Sequence, residues 1–306
     1  MSLFVDYINS LDWDWDPTGV HLLHKEYILA TNDRGRHVID QMETHFVGPM
    51  AGKRILDIGS GHGGAAVAAS LRGAEVVCIE HSEGERMMAE LNFRDHNLHI
   101  SQHTTDATDH AEMAALGRFD LVICDNVIEH VDDAQSLVFN IGKVLTPTGV
   151  AYVTAPNAFS LGQVTIECHN REFGLSLLDR FDAQIYYEER GHVGNYSVGD
   201  YNDFGQYLRM FDINGMTVND NVPADVSEAA EERALAMAAG IRELLGQVTA
   251  QTEGAKKMVR RVERYLEMFD NRFKEMKIVG GALREAFFRH YMIERFDFLA
   301  RLKPAN

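Results

Sequence analysis

Residues 55–64 read ILDIGSGHGG, and the reading of this stretch decides the fold. Apolar Ile55, Leu56 and Ile58 lead into the closely spaced glycines Gly59, Gly61 and Gly63, then into Gly64 and a run of small residues. The expectation is a short strand turning tightly into a helix, because glycine permits the turn and lets the backbone approach a ligand. Gly59-x-Gly61-x-x-Gly64 also matches the dinucleotide fingerprint, so the glycines alone leave a nicotinamide dinucleotide open as the ligand.

Outward from this loop, apolar runs at 54–58, 75–79, 100–104, 119–124 and 149–154 read as strands, and 64–71, 82–96 and 133–145 as intervening helices. Near-continuous apolar strands such as FDLVIC (119–124) suit a parallel sheet covered on both faces. Strand–helix alternation predicts a doubly wound α/β sheet. Its strand ends carry polar groups. Asp57, two places before the first glycine, can face a ligand ammonium group, where a pyrophosphate-binding turn would gain nothing from a negative charge. Glu80 after the second strand can accept from both hydroxyls of a ribose, Asp106 after the third from an adenine amino group, and Asp125 and Asn126 end the fourth. Four successive strand ends form one line along the carboxyl edge.

With these residues in place, the chain resembles the class I S-adenosylmethionine-dependent methyltransferases, in the broad group that includes ubiquinone- and menaquinone-pathway and natural-product enzymes. The resemblance rests on LDIGSGHGG (56–64), VVCIE (76–80), TTDAT (104–108), FDLVICDNVIEHV (119–131) and KVLTPTGVAYVTAPN (143–157), and resumes at 192–218. It implies a Rossmann-like seven-stranded sheet, mostly parallel with one antiparallel strand. The implied cofactor is S-adenosylmethionine, its methionine part beside Asp125 and Asn126. The implied binding set is Asp57, Gly59, Ser60, Gly61, Glu80, His81, Asp106, Ala107, Asp125 and Asn126.

The chain departs from the family in two places. Some quinone-pathway relatives hold a divalent ion with an ExxEH pattern; here the stretch is Asn126-x-x-Glu129-His130, without the first carboxylate, so no metal site is expected. The family also closes its sheet with a hairpin. Residues 216–218 fit its first strand and 296–304 the last, which makes the helices between 224 and 276 an insertion in the hairpin. The competing reading makes 283–302 one more helix, since Phe287, Tyr291 and Phe298 also fit helical spacing.

The chain divides into an N-terminal helical lid (1–50), a core (51–222) with a substrate-binding insertion at 157–194, and a helical addition (223–306). Leu235, Ala238, Ile241, Leu245 and Val248, then Met258, Val262, Tyr265, Phe269, Phe273 and Met276, mark two amphipathic helices that can pair as a hairpin or carry a homodimer interface. The basic cluster Lys256, Lys257, Arg260, Arg261 and Arg264 is read as a solvated face or one docked on the acidic body. Trp13 and Trp15 either pin the terminus or lie over a ligand, and Tyr27 and His24 belong to the lid.

Composition narrows the function. The net charge of −17 argues against nucleic acid, which is bound through clustered Lys and Arg. Residues 224–306 hold 15 of the 29 basic and 13 of the 46 acidic residues, leaving 14 and 33 for the acidic body. No apolar run reaches the roughly 18 residues of a membrane span, and the first residues lack a signal-peptide pattern. Cys78, Cys124 and Cys168 form no CxxC pair and read as thiols of a reducing cytoplasm.

The expected reaction is methyl transfer to a small molecule or glycan, on oxygen by preference. A base is needed only if the acceptor holds a proton; the candidates are His130, in the family's EH position, His169 in the insertion, and His192. Phe159, Glu167, Arg171, Tyr186 and Tyr187 can line the acceptor pocket. N- or C-methylation, a non-catalytic cofactor-binding scaffold and a nicotinamide-dependent oxidoreductase remain as alternatives.

Overall fold

The computed structural model describes residues 2–13 and 20–304. The loop at 57–64 does join a strand, β1 (Arg54–Ile58), to a helix, α4 (Gly64–Ser70). Before them lie α1 (Leu3–Ser10), α2 (Val20–Leu29) and α3 (Thr31–Met42). After them come β2 (Glu75–Ile79), α5 (Glu83–Asp95), β3 (Ser101–His103), α6 (His110–Ala115), β4 (Phe119–Asp125), α7 (Ala134–Val144) and β5 (Leu145–Pro156). Seven strands form one sheet in the order β3-β2-β1-β4-β5-β7-β6, with β6 (Met216–Asp220) and β7 (Arg295–Leu302) at one edge. β7 alone runs against its neighbours, pairing antiparallel with β5 and β6.

Burial follows the sequence pattern. All of Phe119, Leu121, Val122, Ile123 and Cys124 are buried, because helices cover both faces. On one face α6, α7 and α10 (Phe204–Ile213) supply Met113, Leu137, Ile141, Tyr207 and Phe211. On the other, α3, α4 and α5 supply Ile39, Met42, the alanines of α4 and Phe93. Here α3 and α4 pack backbone to backbone: a β-carbon on Gly64 would sit 2.1 Å from the Thr31 carbonyl oxygen.

A second apolar core lies off the sheet. The insertion after β5, with α8 (Leu161–Thr165) and α9 (Arg180–Glu189), packs against α11 (Glu228–Gln247), α12 (Glu253–Val279) and α13 (Gly281–Met292) from the β6–β7 connection. Met258, Val262, Tyr265, Phe269 and Met276 are all buried there, so the apolar stripe of α12 is spent inside the chain. Lys257 and Arg261 of its basic cluster meet Asp182 and Asp179 at the start of α9. Residues 281–302 reconcile the two readings of that segment: Phe287 and Tyr291 lie on α13, and Phe296 and Phe298 on the closing strand.

Asn157 joins lobe to sheet. Fully buried, it donates from its side-chain amide to the carbonyls of His290 (2.8 Å) and Ile293 (2.7 Å) at the end of α13, and from its backbone N–H to Glu294 (2.8 Å). The exit from β5 is thereby tied to the entry to β7. Replacing Asn157 with Ala leaves two helix-end carbonyls unpaired, and should cost about 2–3 kcal/mol in urea unfolding. An unchanged midpoint would mean the lobe is held by its apolar core alone.

Candidate functional site

The carboxyl ends of β1, β2, β3 and β4 place the predicted ligand line on one edge. Asp57, next to last in β1, is only 4% exposed, and its Oδ2 has no hydrogen-bond partner. Gly59 turns the chain at φ +63, where a β-carbon would lie 2.4 Å from Val127 Cγ2, so only glycine lets the turn close against the loop after β4. The N–H groups of Gly59 and Ser60 both donate to the Ile79 carbonyl, at 2.8 and 3.2 Å. The N–H groups of Gly61 and Ser82 donate to the two oxygens of Glu80, at 3.0 and 2.9 Å. The glycine loop and the second strand end are thus locked together.

Farther along, Asp106 is exposed and accepts from the Thr108 N–H and hydroxyl, both at 2.8 Å. Ala107 is buried beside it, its carbonyl accepting from Asn140 at 2.8 Å, and His81 is exposed. Asp125 accepts from the Thr154 hydroxyl at 2.5 Å, and the same hydroxyl accepts from the Asn126 N–H at 2.9 Å. Asn126 takes a left-handed φ of 54°.

Charge accumulates along this line. Burial, then the nearby charges of Asp125 and Glu80, push the Asp57 carboxyl up to about 7. Glu85, in the first turn of α5, is likewise raised to about 7 by burial and by Glu80. A cation is what relieves such a pocket. Arg295, first residue of β7, brings one guanidinium 3.7 Å from Asp125 while bonding Asp297 at 2.9 Å. Tyr27 of α2, half exposed, lies within the field of Asp125, Arg295 and Glu129, with the Arg34 guanidinium 3.4 Å from its ring centre.

Beyond Asp125 the loop turns inward and buries Glu129 completely, both carboxylate oxygens lacking a hydrogen bond. The Nε2 atoms of His130 and His169 each stand 3.8 Å from its Oε1, and the two imidazoles meet edge to face with centres 4.8 Å apart. Burial, and the charge of His169, lower the His130 imidazole. For His169 burial acts downward too, but hydrogen bonds to Cys168 and Glu167 outweigh it and lift the ring to about 10. Glu167 is fully buried, with Oε1 2.7 Å from His169 Nδ1. Despite burial, His169, the Asn170 N–H and the Tyr201 hydroxyl hold its carboxyl down to about 2.

His130 and His169 therefore share one cluster, while His192 bonds Glu172 at 2.9 Å and stacks on Tyr187. Phe159 stacks on His290, Tyr186 is buried in the lobe core, and Arg171 takes a left-handed turn. Trp13 donates to the Ile8 carbonyl at 2.8 Å and so fastens the N-terminal segment to α1; Trp15 lies outside the described residues. Reading along the chain did not assign Thr154, Tyr201, Glu85 or Arg295 to the site, although Thr154 and Tyr201 stand within the matching stretches 143–157 and 192–218.

A methyltransferase-domain family model matches residues 56–153. An ubiquinone biosynthesis O-methyltransferase of Psychrobacter cryohalolentis is 31% identical over 196 residues, covering 58% of this chain and 71% of its own. The chain belongs to the class I S-adenosylmethionine-dependent methyltransferases. Enzymes of the same name from Azotobacter vinelandii (29% identical, 52% of this chain, 69% of its own) and Thiobacillus denitrificans (32%, 44% and 60%) match as well. The chain thus spans roughly three fifths to seven tenths of these relatives' length. An O-methyltransferase family protein of Burkholderia thailandensis superposes with a TM-score of 0.46 at 14% identity, over 64% of this chain and 55% of its own. No helix among the described residues is long and apolar enough to cross a membrane.

The methyl donor of this family is S-adenosylmethionine, which carries a sulfonium and an ammonium group. The unpartnered Asp57 oxygen in its acidic pocket fits such a cation. The raised Asp57 carboxyl has a measurable consequence. Between pH 4 and 7 the folded chain keeps a proton that the unfolded chain has lost, so stability falls as pH rises through this window, by on the order of 3–4 kcal/mol from this group. Urea unfolding of the ligand-free protein should show that decline, and Asp57→Asn should make it shallower, leaving the share of Glu85 and Glu129, which burial also raises to about 7. An equal slope in the variant would place the buried charge elsewhere.

Proposed function

We propose that the chain methylates a hydroxyl oxygen of a small molecule, with the acceptor held between the carboxyl edge of the sheet and the helical lobe. The observation that carries this reading is Glu129: a buried carboxylate four residues beyond Asp125, with no hydrogen bond and with the His130 and His169 rings beside it, able to take a proton from a hydroxyl. The similarity to O-methyltransferases of ubiquinone biosynthesis supports oxygen as the acceptor atom. A glycan hydroxyl meets the same requirement.

In this reading Asp57 and Asp125 face the donor's cationic end, Glu80 its ribose, and Asp106 with Ala107 its adenine. Gly59, Ser60 and Gly61 supply close backbone, and His81 and Asn126 border the same line. When bound, the donor supplies an activated methyl group, so the protein's task is to align the acceptor and exclude water. His130 donates from Nδ1 to the Ser197 carbonyl (2.9 Å), which turns its Nε2 toward Glu129. Residues 1–50 act as a lid through Tyr27, and residues 157–194 bring His169 to the acceptor side. The three unpaired cysteines accord with a reducing, cytoplasmic setting.

The test is a panel of phenolic, sugar and amine acceptors with isotopically methyl-labelled donor, read by mass spectrometry and NMR. Methyl ethers are the expected products; methylamines, or donor binding with no transfer to any hydroxyl, would refute the proposal. Glu129→Gln should lower kcat about 10²–10⁴-fold while donor affinity stays within about twofold.

A further inference from the structure

Methyl transfer to a hydroxyl gives tasks to Asp57, Asp125 and Glu129 but none to Arg295, a cation at the same edge. β7 lies two strands beyond β4 and three beyond β1, so at about 4.8 Å per strand its first residue starts roughly 10 Å past Asp125, on the side away from Asp57. From there the side chain reaches back across β5 and brings Nη1 to 3.7 Å from Asp125 Oδ1.

On the footing of hydroxyl transfer, we propose that Arg295 selects the acceptor: the open edge of its guanidinium binds a carboxylate, so the preferred acceptor is a hydroxy acid.

The guanidinium is divided between two duties by its own geometry. Nε and Nη2 form one edge, which donates to the two oxygens of Asp297 at 2.9 and 3.2 Å. Nη1 and the second N–H of Nη2 form the other edge. Among the described residues Nη1 has no acceptor within hydrogen-bonding distance, since Asp125 stands 3.7 Å away. A planar carboxylate pairs with such an edge through two parallel hydrogen bonds.

The open edge is also fixed in direction. Asp297 is buried, and besides Arg295 it accepts from the hydroxyl of Tyr152 at 3.1 Å, itself a buried residue. Asp297 stands in register with Thr154, and Thr154 with Asp125, so the three form one row across β7, β5 and β4. Thr154 donates its hydroxyl hydrogen to Asp125 at 2.5 Å. Asp125 therefore has a partner without the guanidinium, and 43% of the Arg295 side chain stays open to a ligand.

Charge and shape choose the anion. An acidic edge repels anions, so one is admitted there only against a fixed cation. A carboxylate carries a single charge and lies in the plane of the guanidinium fork, whereas a phosphate dianion would bring a second charge toward Asp125. Tyr27 of the lid feels the charges of Asp125, Arg295 and Glu129 alike, so the guanidinium and the base border one aromatic side chain. An acid whose hydroxyl meets Glu129 and whose carboxylate meets Arg295 is held at two points, which is the alignment that transfer requires. The donor carries a carboxylate too, on the carbon that bears its ammonium group. Arg295 lies on the far side of Asp125 from Asp57, which favours the acceptor as the source.

The experiment is calorimetry of full-length protein saturated with S-adenosylhomocysteine and titrated with salicylate, protocatechuate and mandelate, each beside its primary amide. Wild-type protein should bind at least one acid about 10–100-fold tighter than its amide. Arg295→Gln should bring that pair within about twofold, and Arg295→Lys, which keeps the charge but not the fork, should fall between. Affinity for S-adenosylhomocysteine should stay within about threefold in both variants, with thermal melts checking that each folds. Wild-type protein that binds none of the acids, or binds acid and amide alike, overturns the proposal. An undiminished preference in either folded variant overturns it as well. A larger loss of S-adenosylhomocysteine affinity assigns the anion to the donor and overturns the acceptor site. Turnover with labelled donor is read separately: an acid preferred in binding that gains no methyl on its hydroxyl sustains the carboxylate site and refutes hydroxyl transfer alone.

Discussion

One buried amide decides where the site lies. Asn157 leaves the end of β5, caps the end of α13 and bonds the residue before β7, so two segments more than 130 residues apart meet at the carboxyl edge of the sheet. Because β7 runs antiparallel to β5, its first residue, Arg295, starts at the edge where the other strands finish. The hairpin insertion and the insertion after β5 therefore converge over the same strand ends. Their shared apolar core follows from that placement: Leu161, Val164, Leu175 and Tyr186 find their partners in α11, α12 and α13.

The edge itself is governed by carboxylates. Asp57, Glu80, Glu85 and Asp125 stand close enough to raise two of their own number, and Arg295 answers only the last of them. Backbone N–H groups satisfy Glu80, and a threonine hydroxyl satisfies Asp125, while Asp57 keeps an oxygen bare. A site built this way attracts positive charge and repels phosphate. The glycines fit either kind of nucleotide ligand; the carboxylates around them favour a sulfonium donor.

The sheet could be read from sequence because its signals are local. The strands β1, β2 and β4 are nearly continuous apolar runs, and Asp57, Glu80 and Asp106 each lie within three residues of the end of their strand. The end of the chain was ambiguous for a physical reason. Phe287, Tyr291 and Phe298 satisfy a helical period although the chain changes from helix to strand at residue 293, where the backbone turns extended. The single lobe was not legible, since its two halves are each half-buried patterns that make sense only against each other. The contact of His169 with Glu129 was not legible either, since it depends on how 157–194 folds back.

The central claim is that the line from Asp57 to Asp125 holds the methyl donor. Isothermal calorimetry with S-adenosylhomocysteine and, separately, NADH tests it most directly, on wild-type protein and Glu80→Ala. The account predicts one-site binding of S-adenosylhomocysteine, weakened at least about 10-fold when the two buried hydrogen-bonding positions of Glu80 are lost, and no binding of NADH. Equal affinity in the variant, or binding of NADH in place of the sulfur ligand, would contradict it.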